Sequence, residues 1–457
     1  MYQAIITRVQ ALLRHPNADR LEIAVVLNTH VVVGVGNYVQ DDLVVFFETD
    51  GCLEKEYCEA NNLYETFEEI EGVRQRVGTG YLDTNGRIRA LNLRSYKSNG
   101  LVMPLKSLDF LDFDRAILVE GYSFNTVASV LICKKYETPA TKEARLSNKP
   151  KQQKLKTKTV FHEHVDTQNF RRNVNQIPVG ALITITEKIH STSGRCSLAY
   201  TEQEQYNLFL STVFNRLNVQ TPWQPVNNVW NWLRQTIEEK GKTTTKGYAY
   251  QHGTRRVILK KNSGNTGYYG TDDFRWSIAD RLLPMLHKGE EIYYEIVGWV
   301  APDRHIMPVH NTSVTGDKKF IKQYGAEISY NYGVPNGTSK AYVYRIAVTN
   351  EDGHQWELPW ESVKARCLEL GVDHVPEVLV VNSYDPSNCW AEDFVKVVEE
   401  LSLQSTFADQ FPEGVVIRID HNGNTWFLKE KNWYFLAMEG FSKDRPDYVD
   451  TEEVQSQ

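Results

Sequence analysis

The stretch ITEKIHSTSGR (185–195) decides how the rest of the chain is read. Alternating β-branched and polar residues run into Lys188, and small polar residues follow it. The pattern predicts a strand that delivers one lysine at its end, with a tight loop beyond. A lone lysine is ordinarily a solvated surface group, so the weight falls on what accompanies it.

Four later segments repeat the theme of a charged side chain on or beside an apolar strand. YEIVGW (294–299) sets Glu295 among apolar residues, where an unpartnered carboxylate would be costly. AYVYRI (341–346) is an aromatic strand. EGVVIR (413–418) places Glu413 at a turn into a β-branched run, and WFLKEK (426–431) ends a strand with Lys429 and Lys431 on one face. GTRR (253–256) opens a further strand with two adjacent arginines. Each segment alone has an ordinary account as a strand edge or a surface charge.

Outward from these motifs, residues 1–130 read as a β-rich module. Short runs such as AIITRV (4–9), EIAVV (22–26), HVVVGV (30–35) and LVVFFE (43–48) alternate with turn-prone stretches, a spacing that predicts a small barrel. Arg87, Arg89, Arg94 and Lys97 are expected on one rim of it. Residues 131–159 are Lys-rich and aperiodic and read as a basic linker or phosphate-touching arm. From 160 to 457, strands alternate with helical stretches predicted at 201–217, 230–242, 273–289 and 360–371, the last two closing at glycine. The fold class is therefore α+β, with mainly antiparallel sheets and flanking helices. No phosphate-loop or dinucleotide-binding glycine motif supports the common mononucleotide folds.

Composition narrows the class further. The 457 residues are 41% hydrophobic and 24% charged, sized for two or three domains. No apolar run reaches membrane-spanning length, no signal-peptide core is visible, and six scattered cysteines without a CxxC pair fit a reducing compartment; a cytoplasmic monomer is expected. A net charge of −7 argues against indiscriminate coating of nucleic acid but permits a local basic groove.

Together and in order, Lys188, Glu295, Tyr344-Arg345-Ile346, Glu413 and Lys429/Lys431 resemble the lysine, glutamate and K-x-K motifs of the covalent nucleotidyltransferases. That superfamily comprises DNA ligases, RNA ligases and mRNA capping enzymes. TEKIHSTSGR, with VDTQNF (165–170) upstream, is similar to the signature of ATP-dependent RNA ligases of the Deinococcus type. HPNADRLEIAVV (15–26) and GRIRALNLRSYKSNGLV (86–102) look like the N-terminal OB-type module of that group. One position departs: the motif glycine is Ser191. Capping enzymes and many DNA ligases place an OB domain after the last motif, whereas only about 26 residues follow Lys431 here. The alternatives are a DNA ligase, a capping-type enzyme, or a catalytically dead nucleic-acid-binding protein on the same fold.

The resemblance implies an OB-type module that binds nucleic acid through Arg89, Arg94 and Lys97, and an adenylyltransferase domain over 160–457. It implies ATP with Mg²⁺ or Mn²⁺ as cofactors and RNA, or an RNA-containing duplex, as partner. Lys188 would carry AMP. An amine attacks only when deprotonated, and free lysine titrates near ~10.4, so cationic neighbours or a metal ion would be needed. Lys429, Lys431 and the Arg255/Arg256 pair are the implied cations. Glu295 would accept from ribose, Tyr344 would stack on adenine with Tyr342 as the alternative, and Glu413 would hold the metal. Glu187, His190 and Arg195 complete the implied nucleotide site. A serine at the glycine position would cost roughly 1 kcal/mol if its φ were positive, with Gly194 free to absorb the strain.

Overall fold

The computed structural model describes residues 2–64, 67–70, 73–76, 80, 82–146, 157–206, 242–261, 269–387, 390–445 and 448. Near the N-terminus, Ala4–Arg8 pairs with Leu43–Phe47 and Ser123–Phe124, and Leu101–Pro104 adds to the outer edge of Leu43–Phe47. A second sheet holds Ala11–Arg14, Leu21–Val26 and Thr29–Gly34. Its last hairpin turns through Leu27 and Asn28, both with positive φ, as a two-residue turn matched to strand twist requires. The strand LVVFF is buried on both faces: Val45 and Phe47 join one apolar cluster, Val44 and Phe46 another. The β-barrel expectation holds.

The module does not end at residue 130. Cys133–Lys135 pairs with Gly51–Leu53 inside it, and Pro139–Leu146 is helical. At the other end of the expected linker, Thr157–Thr159 pairs with Thr201–Gln203 of the C-terminal domain. Lysine-rich composition had concealed both strands, because pairing to distant partners overrides local polarity. Residues 147–156 lie outside the described residues.

The C-terminal domain is built on two main sheets, beside a short pair of strands at His310–Asn311 and Glu327–Ile328. One has five strands in the order Gln168–Asn169, Asn424–Lys431, Gly414–His421, Leu182–Lys188, Glu377–Val381. The other has nine strands, with Lys242–Gly253, Thr192–Tyr206, Glu290–Ala301 and Ser339–Thr349 at its centre. The α+β expectation is met, with two local corrections. Residues 201–206 belong to the long strand Thr192–Tyr206, not to a helix, and Lys242 opens a strand. The rest of both expected helices, 207–217 and 230–241, falls outside the described residues. The 273–289 helix stops at Leu282 and gives way to a single 3₁₀ turn with Pro284 near its start, where a missing N–H cannot continue an α-helix. Trp360–Leu370 ends as expected, on Gly371 at φ 62°.

The helix Trp433–Lys443 joins the two halves of the molecule. Its last turn receives Arg87, which donates to the Gly440 carbonyl at 2.8 Å and to Asp444 at 2.6 Å. Lys443 meets Asp50 at 3.3 Å, and Trp433 donates to the Ser98 carbonyl at 3.2 Å. A second joint forms where Arg172 Nε reaches Glu48 at 3.1 Å. Among the described residues no helix is long and apolar enough to cross a membrane.

Candidate active site

The motif around Lys188 is the crossing between the two sheets. Leu182–Lys188 ends in the five-stranded sheet, and four residues later Thr192 opens the central strand of the other. The loop Ile189–Ser191 therefore lies where the sheets meet, and side chains from both converge on it.

From the five-stranded sheet comes a row of charge. Lys188 pairs with Gly414, which pairs with Lys431, so three adjacent strands are in register at this level. Gly414 permits the tight row: a Cβ there would overlap the carbonyl oxygen of Glu430. Glu413, just before it, takes Lys188 Nζ at 3.0 Å and Lys431 Nζ at 2.8 Å, both on Oε1, with His190 Nδ1 3.4 Å from Oε2. Asn432 fixes the Glu413 backbone, donating to its carbonyl at 3.2 Å and to that of Pro412 at 2.7 Å, while its own oxygen caps the next helix. Burial would raise the Glu413 pKa, but Lys188, Lys431 and the His190 hydrogen bond hold it well below the ordinary carboxylate value. Burial would likewise lower Lys431, yet Glu413 and Glu439 keep it protonated beyond the usual lysine range.

The nine-stranded sheet supplies a second half made of hydroxyls and rings. Ser191 Oγ donates to Glu295 Oε2 at 2.6 Å, and Ser193 Oγ to Oε1 at 3.2 Å. Ser191 is not in the left-handed region, so the departure from glycine carries no backbone strain. Gly194 absorbs none either; it is required because a Cβ there would strike the Tyr294 ring. Between Tyr293/Arg345 and Tyr294/Val343 the register slips, leaving Tyr344 as a bulged residue. A bulge re-aims its side chain, and Tyr344 and Arg345 both border the pocket shared with Lys188, Ile189 and Glu295. Tyr342 sits opposite Glu295 and borders a neighbouring cleft instead. A strap over 161–167 covers the pocket; His164 Nδ1 lies 2.7 Å from the Tyr344 hydroxyl.

The remaining expected residues are placed as follows. Glu187 is buried and accepts from the Ser405 hydroxyl at 2.6 Å and from the Thr406 N–H at 2.7 Å, which orders the 405–406 loop beside the pocket. His190 packs among Tyr330, Phe435 and His310, and its backbone N–H donates to the Tyr332 hydroxyl at 2.7 Å. Arg195 is buried, stacks 4.1 Å over Phe161 and donates to the carbonyls of Thr254, Phe161 and His162. Arg255 pairs with Asp166 on the strap. Neither arginine borders the pocket, so both anchor the strap that covers it. Lys429 shares a face with Lys431 but lies two residues up the strand; its charge, with that of Arg172, opposes the burial that raises the Glu48 pKa.

The expected basic rim is divided. Arg89 is held by Asp83 at 2.5 Å and Asp444 at 2.7 Å, and Lys97 lies 3.9 Å over the Tyr434 ring, where burial lowers its pKa. Arg87 is buried in the same joint. Of the three proposed nucleic-acid residues Arg94 and Lys97 are exposed and Arg89 is half-buried. Sequence reasoning also missed Ser193, Tyr332, Asn432 and Glu439. The S-x-S spacing at 191–193 signalled the first; the others act from separate elements with no local mark. Among the described residues no cluster of three or more His, Cys, Asp or Glu could hold a metal, so a divalent ion would need ligands beyond Glu413.

RNA ligases of known structure share this fold. A Naegleria gruberi RNA ligase lysine-to-alanine variant with ATP and Mn aligns over 95% of this chain and 98% of its own, at 16% identity and a TM-score of 0.54. The same organism's ligase with PPi aligns over 94% and 96% at 14% identity and 0.53, and a lysine-to-methionine variant with AMP and Mn over 97% and 99% at 15% and 0.53. At these identities the likeness is one of fold. A family model described as an OB-fold domain matches residues 3–105, which makes the N-terminal barrel an OB-fold. No curated protein sequence matches the chain.

Proposed function

We propose that the chain is an ATP-dependent RNA ligase that seals 3′-OH and 5′-phosphate ends at nicks. The observation that carries this reading is the row Lys188–Glu413–Lys431 at a strand end, with Lys188 bordering one pocket together with Glu295 and Tyr344. The Naegleria structures with ATP, AMP and PPi support it through the shared fold.

In the first step, neutral Lys188 Nζ attacks the α-phosphorus of ATP. A P–N bond forms, the P–O bond to pyrophosphate breaks, and the amine proton is released. Lys431 neutralises charge developing on the α-phosphate, and Lys429 does so from one step up the strand. Glu295, oriented by Ser191 and Ser193, accepts from ribose hydroxyls, and Tyr344, steadied by His164, stacks on adenine. In the second step a 5′-phosphate oxygen attacks the lysyl-AMP phosphorus and Lys188 leaves. In the third, the 3′-OH attacks the 5′-phosphorus and AMP departs.

Glu413 is a buried, charged carboxylate, which fits a divalent ion arriving with the nucleotide; Mg²⁺ or Mn²⁺ would complete its shell with phosphate oxygens and water. The ion would supply charge neutralisation at the phosphates. In this arrangement Glu413 is instead satisfied by Lys188 and Lys431, so the nucleophile is held as one partner of an ion pair that nucleotide and metal must replace.

The test is covalent labelling. Label from ATP and not from GTP, followed by sealing of a nick with a ribose 3′-OH, is the expected result. Label from GTP would point to capping chemistry, sealing of an all-DNA nick to DNA repair, and no label with either nucleotide to a binding role.

A further inference from the structure

A second cleft of about 400 Å³ opens beside the nucleotide pocket, between the 332–342 segment and residues 371–373. We propose that it holds a nucleotide of the RNA strand being joined, with its phosphate facing Arg281 and Lys340. The inference rests on the ligase reading and extends it to the place where the strand lies.

The two cavities share one sheet face. Glu295 and Tyr342 sit directly opposite across paired strands, so their side chains project to the same side. Glu295 borders the nucleotide pocket and Tyr342 borders the cleft. A strand passing along this face from the cleft therefore approaches the Lys188 loop from beside the nucleotide rather than through it.

The wall of the cleft is tied to that loop. Tyr332 borders the cleft with φ +53°, a left-handed conformation that a bulky aromatic residue adopts only when its surroundings impose it. Its hydroxyl accepts the His190 backbone N–H at 2.7 Å, two residues past Lys188. Its ring packs edge-on against Phe407, which does the same to Tyr342 on the floor. Occupancy of the cleft and placement of the nucleophile loop thus share one side chain.

The chemistry suits a phosphodiester. Arg281 is exposed at the end of the Asp273–Leu282 helix and makes no ion pair among the described residues. Lys340, 4.9 Å from the Tyr342 ring, pairs with Asp373 at 2.5 Å, but both are about half exposed, and such solvent-screened pairs contribute little. A phosphate can share that lysine at small cost. Arg281 and Lys340 outnumber Asp373 here although the chain as a whole carries −7.

The experiment is a titration of a fluorescent RNA oligonucleotide ending in 3′-OH into wild type, R281A/K340A and R281K/K340R at several salt concentrations. Wild type should bind. The alanine pair should lose about tenfold or more at low salt and flatten the log–log salt slope by about 1.4, the value for two phosphate contacts on a single strand. The charge-keeping pair should recover most of the binding. Equal affinity of wild type and R281A/K340A overturns the proposal, as does loss that R281K/K340R fails to recover, because the loss is then structural. Competition of RNA by ATP at the cleft would make it a second mononucleotide site, which also overturns it. Lysyl-AMP formation is read separately: if it succeeds while RNA ignores the cleft, only this inference falls, and if wild type forms none, the ligase reading falls.

Discussion

The two halves of the site solve different problems. The half built on the five-stranded sheet is ionic: one carboxylate, Glu413, is shared between two lysines at 3.0 and 2.8 Å. In the half built on the nine-stranded sheet two serine hydroxyls donate to the carboxylate, Glu295. A carboxylate surrounded by cations suits charge that changes during phosphoryl transfer, whereas one held by hydroxyls keeps its acceptor capacity aimed at a sugar. The loop Ile189–Ser191 joins the halves.

Mutations should separate the halves by size of effect. Lys188→Ala should abolish covalent AMP, and Lys431→Ala should slow its formation by about a hundredfold or more, about 2.7 kcal/mol in barrier. Lys429→Ala, two residues up the strand and turned toward Glu48, should cost closer to tenfold. Equal losses from the two lysines, measured by single-turnover adenylylation, would erase the distinction between the in-register row and its neighbour.

Acid should loosen the halves at different pH. His252 on the nine-stranded sheet is buried, bonded to the Arg195 carbonyl at 3.0 Å, and burial depresses its pKa to about 4. A histidine held neutral in the fold contributes stability above its unfolded pKa near ~6.5 and loses it as pH falls toward 4, up to about 3 kcal/mol. Glu413, also depressed, contributes above the ordinary carboxylate range and weakens only as pH falls below it. Urea unfolding of wild type should therefore decline between pH 6.5 and 4, and His252→Leu should flatten that segment. An unchanged slope would show that His252 is not the titrating group.

The smallest effect is expected at Ser191. Ser191→Gly removes one of two hydroxyls on Glu295 and relieves no strain, so adenylylation should fall by no more than about tenfold, about 1.4 kcal/mol. Most of the loss should appear in KM for ATP. Restoration of activity to an inert wild type would instead mark the serine as a degenerative change.

How much of this was legible follows from where each partner sits. Lys188, Glu295, Glu413 and Lys431 were readable because each lies on or beside an apolar strand whose pattern is local. The bulge that turns Tyr344 toward the pocket was not, because a register slip is a property of two strands and not of one. Arg89 and Lys97 read as a basic rim, yet their partners Asp444 and Tyr434 come from a helix more than 300 residues later. The polar run TEQEQY continues a strand because its neighbours 242–247 pair with it, a contact no local pattern encodes.

The central claim is that Lys188 at the strand end is the residue that takes AMP. Peptide mapping of the protein after incubation with ATP and Mg²⁺ tests it most directly. The account predicts one acid-labile adenylyl adduct, on Lys188, removed by added pyrophosphate. An adduct on any other residue, or none on a folded protein, would contradict it.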